Sequence, residues 1–264
     1  MNARWPTRLA WLGALLGLVT ALLLFAPARW LADSITSATD GRLQLVNARG
    51  SVWRGQADVL LTGGQGSQTQ TSLPQGVQWR LSPTLWAGVP AMALQLGAPC
   101  CTPQPMAFTL RPRFGGAEIH LAAFSSRWPA NVLIGLGTPW NTLRVEGLLS
   151  LQTAGLTLRW HGSGSSLQGA LALEAQDIAS RLSTLRPLGS YRMDLRTGAD
   201  GNNTSLSLHT LSGRLQLQGQ GQWVGGRLRF QGVAEAAPDS EAALANLLNI
   251  IGRRQGLRSL LNIG

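Results

Sequence analysis

Cys100 and Cys101 are the only cysteines, and they are neighbours. An ordinary disulfide sets its Cα atoms ~5.5 Å apart, so a bridge between adjacent residues closes a strained ring. In an oxidising compartment two such thiols are nonetheless liable to pair. Three readings fit: a vicinal disulfide stiffening the Pro99 to Pro105 loop, a bridge to another chain, or two small apolar residues in a turn. A metal site is not among them, because nothing nearby in sequence supplies further ligands. His120, His161 and His209 are isolated from one another and lie in or beside alternating runs, which suits structural or surface histidines. Gly162-Ser163-Gly164 lacks the flanks of a nucleophile elbow. Gly64-Gln-Gly66 and Gly219-Gln-Gly221 lack the third glycine of a dinucleotide fingerprint, and neither opens a helix. The twelve acidic residues are scattered, which disfavours a paired-carboxylate site. The chain has no lysine, which excludes Schiff-base and P-loop chemistry. No catalytic, cofactor-binding or metal-binding residues are expected, and an enzyme is not expected.

Binding chemistry is better represented. There are ten tryptophans against one tyrosine, Tyr191. Trp53, Arg54, Trp79, Trp86 and Trp223 are candidate partner contacts, since tryptophan and arginine are frequent hot-spot residues. The competing reading places most tryptophans in a sheet core. All 22 basic residues are arginine, and the formal net charge is +10. The arginines are spread along the chain, so a nucleic-acid footprint is not expected. On the wet faces of strands they resist edge pairing and favour anionic headgroups or acidic partner surfaces.

The elements that would position these residues follow from hydropathy. Leu9 to Phe25 carries neither charge nor proline. Extended to Leu31, it is long enough to span a ~30 Å hydrocarbon core. Leu9, Trp11, Leu15, Leu18, Leu22 and Phe25 are its candidate anchoring side chains. Arg4 and Arg8 precede it, which orients a short tail to the cytoplasm by the positive-inside tendency. This predicts a cytoplasmic tail (1–8), a transmembrane anchor (9–31) and an exported domain (32–264). Ala26-Pro27-Ala28 also resembles a signal-peptide cleavage site, so a cleaved segment stays open.

The exported part alternates with period two, as at Leu156/Leu158/Trp160, Leu171/Leu173, Leu206/Leu208 and Leu215/Leu217. One buried and one wet face indicate a mainly β fold: a large antiparallel, curved sheet. Glycines bracket the runs as turns and bulges. A polar loop is expected at Gly63 to Ser72, and short helices over 128–136 and 175–185. An amphipathic helix follows a cap at Asp239 or Ser240, with Leu244, Leu247, Leu248 and Ile251 on one stripe. Gly252 stops it, Arg253 and Arg254 complement its dipole, and Leu257 to Ile263 returns as a strand. Only one tyrosine, a proline-rich middle and the terminal helix argue against a membrane β-barrel.

Several segments carry a family resemblance. Leu43 to Ala57 reads LQLVNARGSVWRGQA, with a Gly-x-Val-Trp-x-Gly turn at Gly50 to Gly55. Trp79-Arg80-Leu81-Ser82-Pro83 follows, then LSGRLQLQGQGQWVGGRLRFQGVAEA from Leu211 to Ala236 and LLNIIGRRQGLRSLLNIG from Leu247 to Gly264. In this order and spacing they resemble the type II secretion system protein N family, over nearly the whole chain. The resemblance implies a single-pass inner-membrane protein with a periplasmic β-rich domain. Such a protein is a non-enzymatic accessory that contacts other secretion components, the secretin or the inner-membrane platform. It offers no family role for the cysteines. Read without it, a one-sided sheet on an anchor also suits a lipid or apolar-ligand trough. A helix covering the apolar face would count against the trough.

Overall fold

The computed structural model describes residues 5–64, 69–162, 164–198, 203–224 and 227–264. Two helices lead, α1 (Trp5–Leu24) and α2 (Ala28–Ala38). The strands begin with β1 (Leu43–Gly50), β2 (Arg54–Thr62), β3 (Gln70–Ser72), β4 (Val77–Trp86) and β5 (Val89–Gly97). They continue with β6 (Met106–Arg113), β7 (Gly116–Leu121) and β8 (Phe124–Pro129). A 3-10 helix (Ala130–Leu136) and α3 (Trp140–Leu143) then precede two long strands, β9 (Glu146–His161) and β10 (Gly164–Ala179). After them come β11 (Gly189–Thr197), β12 (Thr204–Gly213), β13 (Leu215–Val224), β14 (Arg227–Ala236), α4 (Glu241–Ile251), β15 (Arg253–Gln255) and β16 (Arg258–Ile263).

All described strands join one sheet in the order β1-β2-β4-β5-β6-β7-β9-β10-β11-β12-β13-β14-β16-β15. β3 adds to β2, and β8 shares the edge of β9 with β7. Every pairing is antiparallel. β1 and β15 lie at opposite ends of the order, so the sheet is open and not a barrel. The predicted alternation sets its register. Leu151, Leu173, Met193 and Leu208 stand opposite one another on four successive strands, the pairing that stabilises one face of an antiparallel sheet. The stripe continues to Gly219, where a side chain is missing for a reason. A Cβ there would lie 2.3 Å from Cζ of Phe230, which is buried. Gly219-Gln-Gly221 is therefore a slot for an aromatic ring.

The inner face is covered unequally. Leu244, Leu247 and Leu248 of α4 pack with Leu188, Tyr191, Leu215 and Ala234. Each fully buried leucine contributes about 2 kcal/mol. α4 thus closes the face in the C-terminal half. Toward β1, the cover comes from α2 and the 3-10 helix: Ala28 and Leu31 pack near Ala57 and Trp79, and Val132 packs near Val59 and Leu73.

The short helix expected over 128–136 is the 3-10 helix, entered from Pro129. The helix expected over 175–185 is not formed. β10 continues to Ala179, with Ala175 paired to both Tyr191 and Leu149. Neighbours on both sides satisfy the backbone groups a helix would have satisfied internally, and a bulge at Gln176 to Ile178 ends the strand. The loop expected over 63–72 ends in β3, and residues 65–68 lie outside the described part. Arg253 and Arg254 form β15 instead of closing the α4 dipole, because Gly252 is extended (φ −168°) and starts a strand.

The apolar run predicted as one span to Leu31 is divided. α1 ends at Leu24, Pro27 is extended (φ −70°, ψ 147°), and α2 starts at Ala28. Proline disfavours the helical conformation in the residue before it and has no N–H to continue the ladder. From Ala10 onward the described side chains of α1 are exposed, Trp11 at 78% and Leu16 at 70%. Among the described residues no helix is long and apolar enough to cross a membrane.

Candidate functional site

The β1–β2 turn carries the densest set of unusual contacts. Gly50 and Gly55 stand opposite each other at its base. Gly50 has φ +92°, and a Cβ there would lie 2.4 Å from the Arg54 carbonyl oxygen. A Cβ on Gly55 would lie 2.4 Å from Cζ2 of Trp79. The glycines let the loop fold tightly over an indole. From this loop the Trp53 Nε1–H donates to the Leu23 carbonyl at 2.7 Å, and the Val52 N–H donates to the Ala26 carbonyl at 2.9 Å. Leu23 lies in the last turn of α1, where carbonyls lack partners within the helix. The Leu81 N–H donates to the Trp53 carbonyl, and the Trp79 Nε1–H donates to the Val52 carbonyl at 3.1 Å. The Gly-x-Val-Trp-x-Gly turn is thus a joint that fastens α1 to β4.

Trp79 is 4% exposed. Gln78 and Arg80 face outward on β4, so the residue between them faces inward. It belongs to the packing and presents nothing to a partner. Trp53 is half-buried in the joint. Trp86 (37% exposed) packs against His120 with the rings tilted by 53° and their centroids 4.8 Å apart. Trp223 (41% exposed) lies at the end of β13. β4 and β13 are eight strand steps apart in the sheet order, on the order of 40 Å along the sheet at ~4.8 Å per step. The candidate tryptophans do not form one patch.

Arg54 does find company. It stands directly opposite Arg80. With Arg49, Gln56, Gln78 and Gln95 these residues line an outer-face hollow of about 630 Å³. Like charges directly opposite repel. The ion pairs among the described residues lie elsewhere, on Glu118, Glu146, Glu174, Asp194 and Glu235. The arrangement leaves positive charge free for an anionic group. Outward alternation marks Arg54 and Arg80 in the sequence. Their pairing, and the addition of Arg49, depend on a long-range register that local pattern does not carry.

Glu118 and Asp194 are held in ion pairs within the sheet. Glu118 receives Arg111 and Arg159 from its two neighbouring strands and Arg113 from its own hairpin, at 2.8, 3.2 and 2.7 Å. Burial alone would raise this carboxyl, but the hydrogen bonds from Arg113, Arg159 and Arg111 outweigh it and hold it below its ordinary value. Arg192 lowers Asp194 in the same way, against the opposing effect of burial. Burial raises Tyr191, whose hydroxyl donates to the Leu215 carbonyl at 3.1 Å. His120 Nδ1 lies 3.1 Å from Thr157 Oγ1. Cys100 and Cys101 are joined by a disulfide in the turn after β5, with Cα atoms 3.7 Å apart. Among the described residues no group of three or more His, Cys, Asp or Glu could hold a metal.

A family model described as type II secretion system (T2SS), protein N matches residues 41–260. The chain belongs to that family. The match includes the joint, the arginine face and α4. No curated protein and no solved structure matches the chain. The protein N family is a family of secretion accessories, which assigns this chain to the type II secretion machinery.

Proposed function

We propose that this chain is a non-enzymatic accessory of type II secretion, held in the inner membrane by α1, with the sheet in the periplasm. The observation that carries the secretion role is the family match over residues 41–260. The placement is supported by the uncharged apolar run Leu9 to Phe25, most of which lies in α1. It exposes Trp11, Leu12, Leu15, Leu16, Leu18, Val19, Leu22 and Leu23. An exposed apolar surface of that extent calls for apolar surroundings, and Arg4 and Arg8 before the run favour a cytoplasmic tail. The tail, anchor and periplasmic domain proposed are those expected from the sequence, with the anchor ending at the Pro27 break.

The proposed contact with other components is the face of Arg49, Arg54 and Arg80, which suits an acidic surface of the secretin or the inner-membrane platform. The test is in-cell photocrosslinking from position 80, with position 218 on β13 as control and the adducts identified by mass spectrometry. Adducts to secretin or platform subunits from position 80 alone are expected. The Arg54→Glu/Arg80→Glu double variant should stop secretion without lowering the level of the protein. Normal secretion by that variant would remove the arginine face from the contact.

A further inference from the structure

A second hollow lies on the opposite face of the same strands. It has a volume of about 400 Å³ and is lined only by leucine, isoleucine, valine and tryptophan side chains. Leu31 and Ile35 of α2 form part of its wall, with Leu45 on β1, Leu94 on β5, Val52 in the joint, and Trp128. Its two indole N–H groups are already used. Trp79 donates to the Val52 carbonyl at 3.1 Å and Trp128 to Ser126 Oγ at 2.8 Å. The lining therefore offers an occupant no free hydrogen-bonding side chain. Water is poorly held in such a space: an apolar cavity of ~150 Å³ stays dry and takes benzene. A peptide would bring N–H and C=O groups with nothing to pair them. Hydrocarbon is the chemistry that fits, and the volume is roughly two to three times that of the benzene-sized cavity.

The position supplies the source. The wall residue Val52 receives the foot of α1 through its N–H to the Ala26 carbonyl, and its neighbour Trp53 holds Leu23. The exposed apolar surface of α1 thus ends at the cavity wall. α4, which closes the sheet elsewhere, packs with another cluster and does not line this space.

We propose that this cavity binds one acyl chain of a membrane lipid, drawn from the bilayer in which α1 is embedded. The inference rests on the membrane placement of α1 and goes beyond the secretion role. The test uses the full chain in vesicles of phosphatidylethanolamine and phosphatidylglycerol. These carry a trace of phospholipid with a diazirine on one acyl chain, and adducts are mapped by mass spectrometry after irradiation. Adducts are expected on α1 and, separately, on the peptides containing Leu45 and Leu94. Adducts on α1 alone overturn the cavity site and leave the anchor standing. Adducts absent from α1 overturn the anchor. A diazirine fatty acid that labels the cavity when the phospholipid does not overturns membrane lipid as the source. In Leu94→Trp the added ring fills space, so cavity labelling should fall roughly tenfold with α1 labelling unchanged. The wild-type map decides the matter if that variant does not fold.

Discussion

Gly55→Ala is the sharpest test of the joint. The added methyl would lie 2.4 Å from Cζ2 of Trp79, 2.8 Å from its Cε2 and 2.8 Å from the Arg49 carbonyl oxygen. The backbone oxygen belongs to a paired strand, so the indole must yield. Trp79 is 4% exposed, packs with Ala28 and Ala57, and spends its N–H on the Val52 carbonyl. Overpacking of this kind costs about 1–3 kcal/mol, and loss of the hydrogen bond adds about 1 kcal/mol. The expected destabilisation is about 2–4 kcal/mol, a large share of an ordinary domain's stability of roughly 5–15 kcal/mol. Urea unfolding of the full chain in detergent, followed by tryptophan fluorescence, would show a lower midpoint at unchanged slope. Replacing the indole by a smaller ring gives a second reading. In a Gly55→Ala/Trp79→Phe cycle the double variant should lose less than the sum of the singles, with a coupling of about 1 kcal/mol or more. A Gly55→Ala protein within about 0.5 kcal/mol of wild type, or a cycle that adds, would refute the packing argument.

Three further outcomes are expected. Glu118 titrates lower in the folded chain than its ordinary value of 4.5. Its contribution is therefore complete above that pH and lost as pH falls through the folded value. Glu118→Gln should remove that part of the acid dependence of unfolding, and an unchanged acid limb would contradict it. Leu248, on the inner face of α4, is 0% exposed, so Leu248→Ala should cost about 2–5 kcal/mol. A thermal midpoint equal to wild type would show that α4 does not close the core. Cys100 and Cys101 should resist alkylation until reduced, with the protein monomeric on a non-reducing gel. A reducible dimer would instead assign the cysteines to a bridge between chains.

Most of the sheet was legible because its signal is local. Leu171/Leu173 and Leu206/Leu208 alternate with polar residues, and strands follow wherever that period holds. Glycine spacing marked the turn at Gly50 to Gly55 without revealing that it grips α1. The helix expected over 175–185 misled because Ala175, Ile178, Ala179 and Leu182 also fit a helical stripe. Pairing with Leu149 and Tyr191 overrode the local preference. Tryptophan content pointed to binding, but exposure turned on parity within each strand: Trp79 lies inside and Arg80 outside. The arginine hollow and the apolar cavity need β2, β4 and β5 in register, and no short window of sequence holds that information.

The two proposed surfaces are consequences of one alternation. Gln78-Trp79-Arg80 and Leu94-Gln95 place apolar side chains inward and polar ones outward on the same strands. A slip of one residue would exchange the two faces, so the register must be held firmly. Gly50 opposite Gly55 and the hydrogen bonds of Trp53 and Trp79 hold it at the end where α1 arrives. Perturbations of the faces are consequently separable. Arg80→Glu changes charge on the outer face and leaves the cavity wall intact, whereas Leu94→Trp fills the cavity and leaves the arginines in place. The joint is shared, so Gly55→Ala should weaken crosslinking from position 80 and lipid labelling at Leu94 together. If Gly55→Ala lowered one signal while the other kept its wild-type intensity, the two faces would not depend on a common register, and the joint would not be what holds them.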